Sequence, residues 1–237
     1  MKTENNIFIL KEKIKETDDV ISLKFIPSSG EIFTFLPGQF IMVSLPNNKL
    51  PNQNKAYTIS SAPGEKFLTI TVKKIGVFSG ALHNLKIGDK IQTSKPQGFF
   101  CLNNNIKDCI FLAGGIGITP FYSMIKSCLY SSNNDRNIYL FYSNKTKNDV
   151  VFWKELEEIS LRLKNFKMIH LLTRDKNKYT EIKESQRINC DILKKYLKTL
   201  EQKHYYICGP IGFVNDLWRE LKNEGAKEEE ILTETFY

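Results

Sequence analysis

Near the middle of the chain an apolar run, Ile110-Phe111-Leu112-Ala113, leads into Gly114-Gly115-Ile116-Gly117-Ile118-Thr119-Pro120 and then an amphipathic stretch. A strand that ends in glycines and opens a helix is the layout that cradles a pyrophosphate. Bare glycine lets phosphate approach the backbone, and free helix amides with the positive end of the dipole face the anion. Thr119 is suited to cap that helix and Pro120 to take its first position. The same residues also make an ordinary structural turn, and Pro120 stands where the usual dinucleotide fingerprint has its third glycine. A second candidate is Lys55-Ala56-Tyr57-Thr58-Ile59-Ser60-Ser61, which sets a cation, an aromatic ring and a hydroxyl at alternating strand positions, so that one surface holds phosphate, ring and polar edge. Tyr and Thr are also common strand residues that simply pack well. Gly76-Val77-Phe78-Ser79 precedes a short helix, as a second phosphate-binding turn or an ordinary serine cap. Cys208, in Tyr206-Ile207-Cys208-Gly209-Pro210, ends a strand at the edge where open α/β sheets bind ligands, placed to touch substrate or to sit as a buried thiol. Glu234-Thr235-Phe236-Tyr237 puts a carboxylate and two aromatics at the end, over a flat cofactor or as the finish of a last strand.

The elements that would position these residues change rhythm along the chain. Up to about residue 100, short strands are expected at Ile7 to Leu10, Val20 to Ile26, Phe40 to Leu45, Tyr57 to Ser60, Leu68 to Lys73 and Lys90 to Thr93. Turn chemistry separates them at Pro27-Ser28-Ser29-Gly30, Pro37-Gly38, Pro46-Asn47-Asn48, Pro63-Gly64 and Gly88-Asp89, with one helical turn near Ser79 to Leu85. Six such strands predict an antiparallel barrel. Beyond Phe100, strands at Cys109 to Ala113, Ile138 to Tyr142, Lys167 to Thr173, His204 to Cys208 and Ile231 to Phe236 alternate with helices. The helices start at Pro120, carry Phe152, Leu156, Ile159 and Leu163, span Asp191 to Leu200, and carry Phe213, Leu217 and Leu221. Alternation predicts a doubly wound parallel sheet. The boundary falls near Phe100 to Lys107, where Asn103-Asn104-Asn105 signals a loop, which gives domains 1–102 and 103–237.

Composition narrows the class. With 237 residues, 41% of them hydrophobic, the chain can bury a proper core, so a disordered tail is excluded. The opening residues show no signal-peptide pattern and no stretch approaches a membrane span, so a cytoplasmic protein is expected. Cys101, Cys109, Cys128, Cys190 and Cys208 have no metal-ligand spacing, so no metal site is expected, and reduced thiols fit best. The formal charge of +8 suits an acidic partner, yet no basic run is interleaved with aromatics, which argues against nucleic acid.

Taken together, FLPGQF at Phe35 to Phe40, KAYTISS at Lys55 to Ser61, GVFS at Gly76 to Ser79, GGIGITP at Gly114 to Pro120 and YICGP at Tyr206 to Pro210 resemble the ferredoxin-NADP reductase superfamily. The resemblance spans nearly the whole chain and extends to the terminal ETF. It implies a six-stranded antiparallel Greek-key β-barrel that binds FAD, followed by an NAD(P)-binding α/β domain. Tyr57 would lie against the isoalloxazine, Thr58 would hydrogen-bond the ring nitrogen that accepts hydride, and Lys55, Ala56, Gly76, Val77, Phe78 and Ser79 would hold the rest of the FAD. The strand carrying Ile70, Val72 and Lys73 would line the flavin. Gly115, Gly117, Thr119 and Pro120 would bind the nicotinamide nucleotide's pyrophosphate. Cys208 and Glu234 would sit near the nicotinamide, joining Thr58 as catalytic residues; Gly209 and Pro210 lie beside it, and Phe236 or Tyr237 would cover the flavin. Two departures stand out: Lys55 replaces the usual arginine, a compact charge in place of a planar fork, and Phe213 replaces methionine in CGPxxM.

Hydride transfer needs geometry more than proton chemistry: the nicotinamide carbon must come within ~3 to 3.5 Å of the flavin nitrogen. The leading expectation is NAD(P)H-dependent reduction of a separate acidic one-electron carrier, a ferredoxin or flavodoxin-like protein. A flavin or small-molecule reductase of the same fold, and a non-catalytic electron-transfer or redox-sensing subunit, are the alternatives. For the choice of nucleotide, Ser143, Lys145, Thr173, Arg174 and Arg187 are candidates to meet a 2′-phosphate, with a lean to NADPH.

Overall fold

The computed structural model describes residues 6–45, 53–103, 106–131, 134–175, 182–184 and 186–236. The expected turn at Pro46-Asn47-Asn48, Asn104-Asn105 of the linker signal and Tyr237 lie outside the described residues. Two compact units result: Met1–Leu102 with Tyr122–Ser127, and Asn103–Phe121 with Cys128–Tyr237.

The first unit holds strands β1 (Asn6–Lys15), β2 (Val20–Pro27), β3 (Phe40–Ser44), β4 (Lys55–Thr58) and β5 (Leu68–Lys73), helix α1 (Val77–His83) and strand β6 (Lys90–Thr93). They pair antiparallel in the order β4-β3-β6-β1-β2-β5. A bridge from Ile59 to Ile70 joins the chain leaving β4 to β5. The sheet thereby closes on itself and covers its edges. Alternate residues turn inward: Phe8 and Leu10, Leu23 and Phe25, Ile41 and Val43, and Leu68, Ile70 and Val72 form one core with Ile91 and, from α1, Phe78 and Leu82. The FLPGQF motif has a structural reason. Gly38 has φ +99°, and a Cβ there would come within 2.2 Å of the Phe100 carbonyl oxygen.

The second unit runs β7 (Asp108–Gly114), α2 (Ile118–Tyr130), β8 (Asn137–Asn144), α3 (Trp153–Arg162), β9 (Phe166–Leu172), β10 (Ile182–Glu184), α4 (Cys190–Tyr196), β11 (His204–Pro210), α5 (Ile211–Asn223) and β12 (Ile231–Phe236). The sheet order is β10-β9-β8-β7-β11-β12, all parallel. Both faces are covered, which is why Ile110-Phe111-Leu112-Ala113 reads as an unbroken apolar run. Ile110 and Leu112 join a core with Leu193, Val214, Leu217 and Leu221 of α4 and α5, while Phe111 stacks on Phe121 of α2 at 4.8 Å.

Differences from expectation sit at element ends. Helix α2 starts at Ile118, after a 3₁₀ turn over Gly115–Gly117, so Thr119 and Pro120 fall at its second and third positions rather than at the cap and the first. Strand β4 opens at Lys55 and ends at Thr58, and α4 ends at Tyr196 rather than near Leu200. The edge strand β10 was not anticipated, since three residues carry no period.

One buried polar side chain of the second unit stands apart. His170 on β9 is buried, its ring stacks on Trp153 at 4.3 Å, and neither ring nitrogen has a hydrogen-bond partner among the described residues. Burial, reinforced by the Lys147 charge, pushes the imidazole down to about 4 from 6.5. A histidine kept neutral by folding costs stability as pH falls below its unfolded value, here from 6.5 towards 4. We expect His170→Phe to lose about 2 kcal/mol less than the parent between pH 7 and pH 5. Urea titrations of both proteins at the two pH values measure this; equal losses would refute it.

Candidate functional site

In the barrel unit, β4 carries an exposed Lys55 and Ala56, a half-buried Tyr57 and a buried Thr58. Tyr57 and Thr58 are consecutive strand residues, so ring and hydroxyl leave opposite faces; Lys55 is the one that shares the face of Tyr57. This corrects the single ring-and-hydroxyl surface inferred from alternation. The Tyr57 ring lies parallel to Phe78 at 6.3 Å, and burial pushes its phenol up to about 12. Thr58 Oγ1 is buried with no hydrogen-bond partner among the described residues. A hydroxyl in that position has lost water and gained nothing, which fits a site completed by a ligand atom.

The turn before α1 is organised by Ser79. Its Oγ accepts from the amides of Ile75 and Gly76, each at 3.0 Å, and donates to the Gly76 carbonyl at 3.0 Å. The hydroxyl is thus engaged inside the turn. What remains for an anion are the first amides of the helix, Val77, Phe78 and Ser79, which have no carbonyl ahead of them within it. Ile70 and Val72 point into the barrel core, so only their main chain can meet a ligand, and Lys73 pairs with Asp19 at 3.2 Å.

In the second unit, the glycine turn and the end of β11 meet at the C-terminal edge of the sheet. A Cβ on Gly117 would lie 2.2 Å from the Cys208 carbonyl oxygen, and one on Gly209 would lie 2.9 Å from Phe213 Cδ1 and 3.1 Å from Gly114 Cα. Gly114 is likewise roofed by Phe213 and Pro210. The Phe213 ring therefore fills the space above two facing glycines, which sequence reasoning recorded only as a departure. Gly115, with φ +55°, is the member of the motif whose Cβ would meet nothing within 4 Å. Its bare backbone faces open space. Thr119 Oγ1 donates to the Ile116 carbonyl at 3.2 Å, bracing the turn from within.

Register sets Cys208 opposite Ala113 on one side and Glu234 on the other, with Gly209 opposite Thr235 and Pro210 opposite Phe236. Cys208 and Glu234 are thus brought together. Burial, with the nearby Glu234 charge, raises the Cys208 thiol well above its ordinary range, and burial pushes the Glu234 carboxyl up to about 7. Glu234 Oε2 has no partner among the described residues. Farther along the edge, the Thr173 amide donates to the Asn144 carbonyl at 2.9 Å and that of Arg174 to Lys145 at 2.8 Å, leaving the Arg174 side chain exposed. Buried Asn144 Nδ2, which sequence reasoning missed, points from the same edge with no partner among the described residues. Arg187 is exposed on a separate segment leading into α4.

Residues 7–101 match the family pattern described as oxidoreductase FAD-binding domain, and residues 111–218 match oxidoreductase NAD-binding domain. The chain belongs to the ferredoxin-NADP reductase superfamily. As a member it carries an FAD-binding domain followed by an NAD-binding domain, both of oxidoreductase type. Flavohemoprotein A of Dictyostelium discoideum is 31% identical over 97% of the chain and 59% of its own length. This reductase-like chain spans about 60% of the curated relatives it matches. The flavohem-like FAD/NAD binding domain of nitric oxide dioxygenase from Vibrio cholerae O1 biovar El Tor superposes with a TM-score of 0.86 at 21% identity, covering 98% of both chains. A ferredoxin NADP+ reductase from Neisseria gonorrhoeae with bound FAD and NADP gives 0.83 at 22% identity, covering 100% of both.

The glycines of the nucleotide turn should separate packing from binding. Gly117→Ala is expected to cost at least about 2 kcal/mol by driving a methyl into the Cys208 backbone. Gly115→Ala should cost only about 1 kcal/mol of backbone strain, while weakening nucleotide binding. Thermal melts with calorimetric NADP+ or NAD+ titrations test the ranking; the reverse order would overturn it.

Proposed function

We propose that residues 1–102 form the FAD domain and residues 103–237 the NAD(P) domain of a reductase that passes electrons from NAD(P)H to a separate acceptor. The observation that carries this reading is shared by both halves: each joins a turn of free backbone amides to a buried polar group without a partner, Thr58 Oγ1 in one and Glu234 Oε2 in the other. FAD, when bound, supplies the step from a two-electron donor to one-electron acceptors. On the protein side, Tyr57 would support the flavin ring, Thr58 would offer its hydroxyl at the ring edge, and Lys55 with the amides of Val77, Phe78 and Ser79 would neutralise the diphosphate. Gly115, Gly117 and Thr119 would take the diphosphate of the nicotinamide nucleotide. Cys208 and Glu234 would flank the nicotinamide, with Phe236 and Tyr237 as candidate covers for the flavin.

The finer reading of the donor is NADPH. Ser143, Asn144, Lys145 and Arg174 offer donors and cations along one edge, and the first carboxylate after β8, Asp149, is engaged by the amide and hydroxyl of Thr146. For the acceptor, a ferredoxin or flavodoxin-like acidic protein is favoured by charge: residues 1–102 hold 13 lysines against 8 carboxylates. A haem protein is the second reading, favoured by the flavohemoprotein relatives. Five free cysteines support a reducing compartment such as the cytoplasm.

The purified protein should be yellow, and anaerobic NADPH should bleach its flavin bands on mixing. Arg174→Ala should lower kcat/KM for NADPH roughly tenfold or more while sparing NADH. A colourless protein that ignores both nucleotides would refute the function, and equal losses with both would refute the NADPH reading.

A further inference from the structure

On the face of the barrel sheet opposite its core, three hydroxyls and a carboxylate are joined end to end. Ser22 Oγ donates to Glu16 Oε1 at 2.6 Å, Ser22 Oγ and Thr71 Oγ1 lie 2.8 Å apart, and Thr71 Oγ1 and Ser60 Oγ lie 2.9 Å apart. The β2–β5 register puts Ser22 opposite Thr71. Ser60 continues the chain beyond β4 alongside β5, its amide on the Thr69 carbonyl at 2.8 Å. Ser22, Thr71 and Ser60 are buried at 2%, 5% and 1% exposure, whereas Glu16 is half-exposed. The row therefore leads from the interior to water.

Elementary donor counting gives the row a direction. An ionised carboxylate only accepts, and a hydroxyl has one proton to donate. The Ser22 proton is committed to Glu16, so the Ser22–Thr71 bond must be donated by Thr71, and the Thr71–Ser60 bond by Ser60. A 3.3 Å contact from Ser60 Oγ to the Thr69 carbonyl is the longer of two claims on the same proton. Every donor then points towards Glu16, the polarity that hands a proton outward. At the inner end Ser60 can still accept. Two residues earlier, on the same side of the chain, stands Thr58 with its buried, unpartnered Oγ1. No hydrogen bond joins Thr58 Oγ1 to Ser60 among the described residues, so a water or a ligand atom must stand between the two hydroxyls for a proton to cross.

We propose that Thr58, Ser60, Thr71, Ser22 and Glu16 form a relay that carries a proton from the flavin edge to solvent when electrons leave singly. This rests on the reading of Thr58 as the hydroxyl at that edge. The balance requires such an exit: one NAD(P)H and two one-electron acceptors yield NAD(P)+, two reduced acceptors and one proton. An N–H bond at the flavin edge would break as an O–H bond forms at Thr58, an O–H bond breaks and another forms at each hydroxyl in turn, and Glu16 receives the last proton before releasing it to water. Ladders of buried hydroxyls also arise merely to satisfy one another, and the variants separate the two roles.

Glu16→Gln keeps an acceptor for Ser22 but holds no exchangeable acid, and Thr71→Val removes two links at nearly constant shape. In the flavin-loaded protein, both should leave bleaching by NAD(P)H within about twofold of the parent. Both should slow reoxidation by ferricyanide about 10- to 100-fold, with a larger solvent isotope effect. Independently of turnover, infrared difference spectra between oxidised and photoreduced protein should show a carboxylic-acid band in the parent that Glu16→Gln lacks. Parental reoxidation in Glu16→Gln, or the absence of a Glu16-dependent band, would overturn the relay. Should Thr71→Val fail to fold, Glu16→Gln and Ser22→Ala decide. A parent that holds no flavin or resists NAD(P)H refutes the proposed function instead.

Discussion

Gly117 lies against the carbonyl of Cys208, where the first carbon of any side chain would come within 2.2 Å of that oxygen. This close approach ties the turn that follows β7 to the end of β11, two strands already paired from His204–Cys109 to Cys208–Ala113. The Phe213 ring then closes over Gly114 and Gly209 from the first turn of α5. Because three glycines and one ring define the spacing, Gly115 is free to present bare backbone to an anion, and Glu234 on β12 falls beside Cys208. Had Gly117 carried a side chain, the turn and the strand end would part, and the ligand-facing edge with them.

The barrel solves a different problem, how to bury polar groups beside an apolar interior. Along β5 the inward residues Leu68, Ile70 and Val72 are aliphatic, and the intervening Thr69 and Thr71 are buried too. Their hydroxyl and amide groups find partners in Ser22, Ser60 and Ser61. Satisfaction of that kind is what folded proteins ordinarily achieve. Against it, the buried hydroxyls of Thr58 and Thr93 have no partner among the described residues, and Thr58 is the one on the strand that carries Tyr57.

Cations contribute less to anion binding here than the motif suggests. The first 102 residues contain no arginine, so Lys55 offers a point charge rather than a bidentate fork. With Ser79 engaged inside its own turn, the backbone amides of α1 become the principal donors. The glycine turn of the second unit works in the same way, and Thr119 there braces the turn through the Ile116 carbonyl.

Where periodicity is strong, the chain alone was enough: β5, β6 and β12 have the bounds their alternation implies. The antiparallel and parallel halves, and the glycines that need room, were legible for the same local reason, since backbone preferences act between near neighbours. The start of α2 was not, because a 3₁₀ turn took up the residues that cap chemistry assigned elsewhere. Nor was the row from Glu16 to Ser60, whose members are 49 and 11 residues apart in sequence and meet only through strand register. The isolation of His170, the Phe213 ring over two glycines and the pairing of Cys208 with Glu234 belong to the same class. Sequence determined which residues can do the chemistry. Tertiary structure decided which of them are left without a partner, because a polar group's partners are set by what packs against it rather than by its neighbours along the chain.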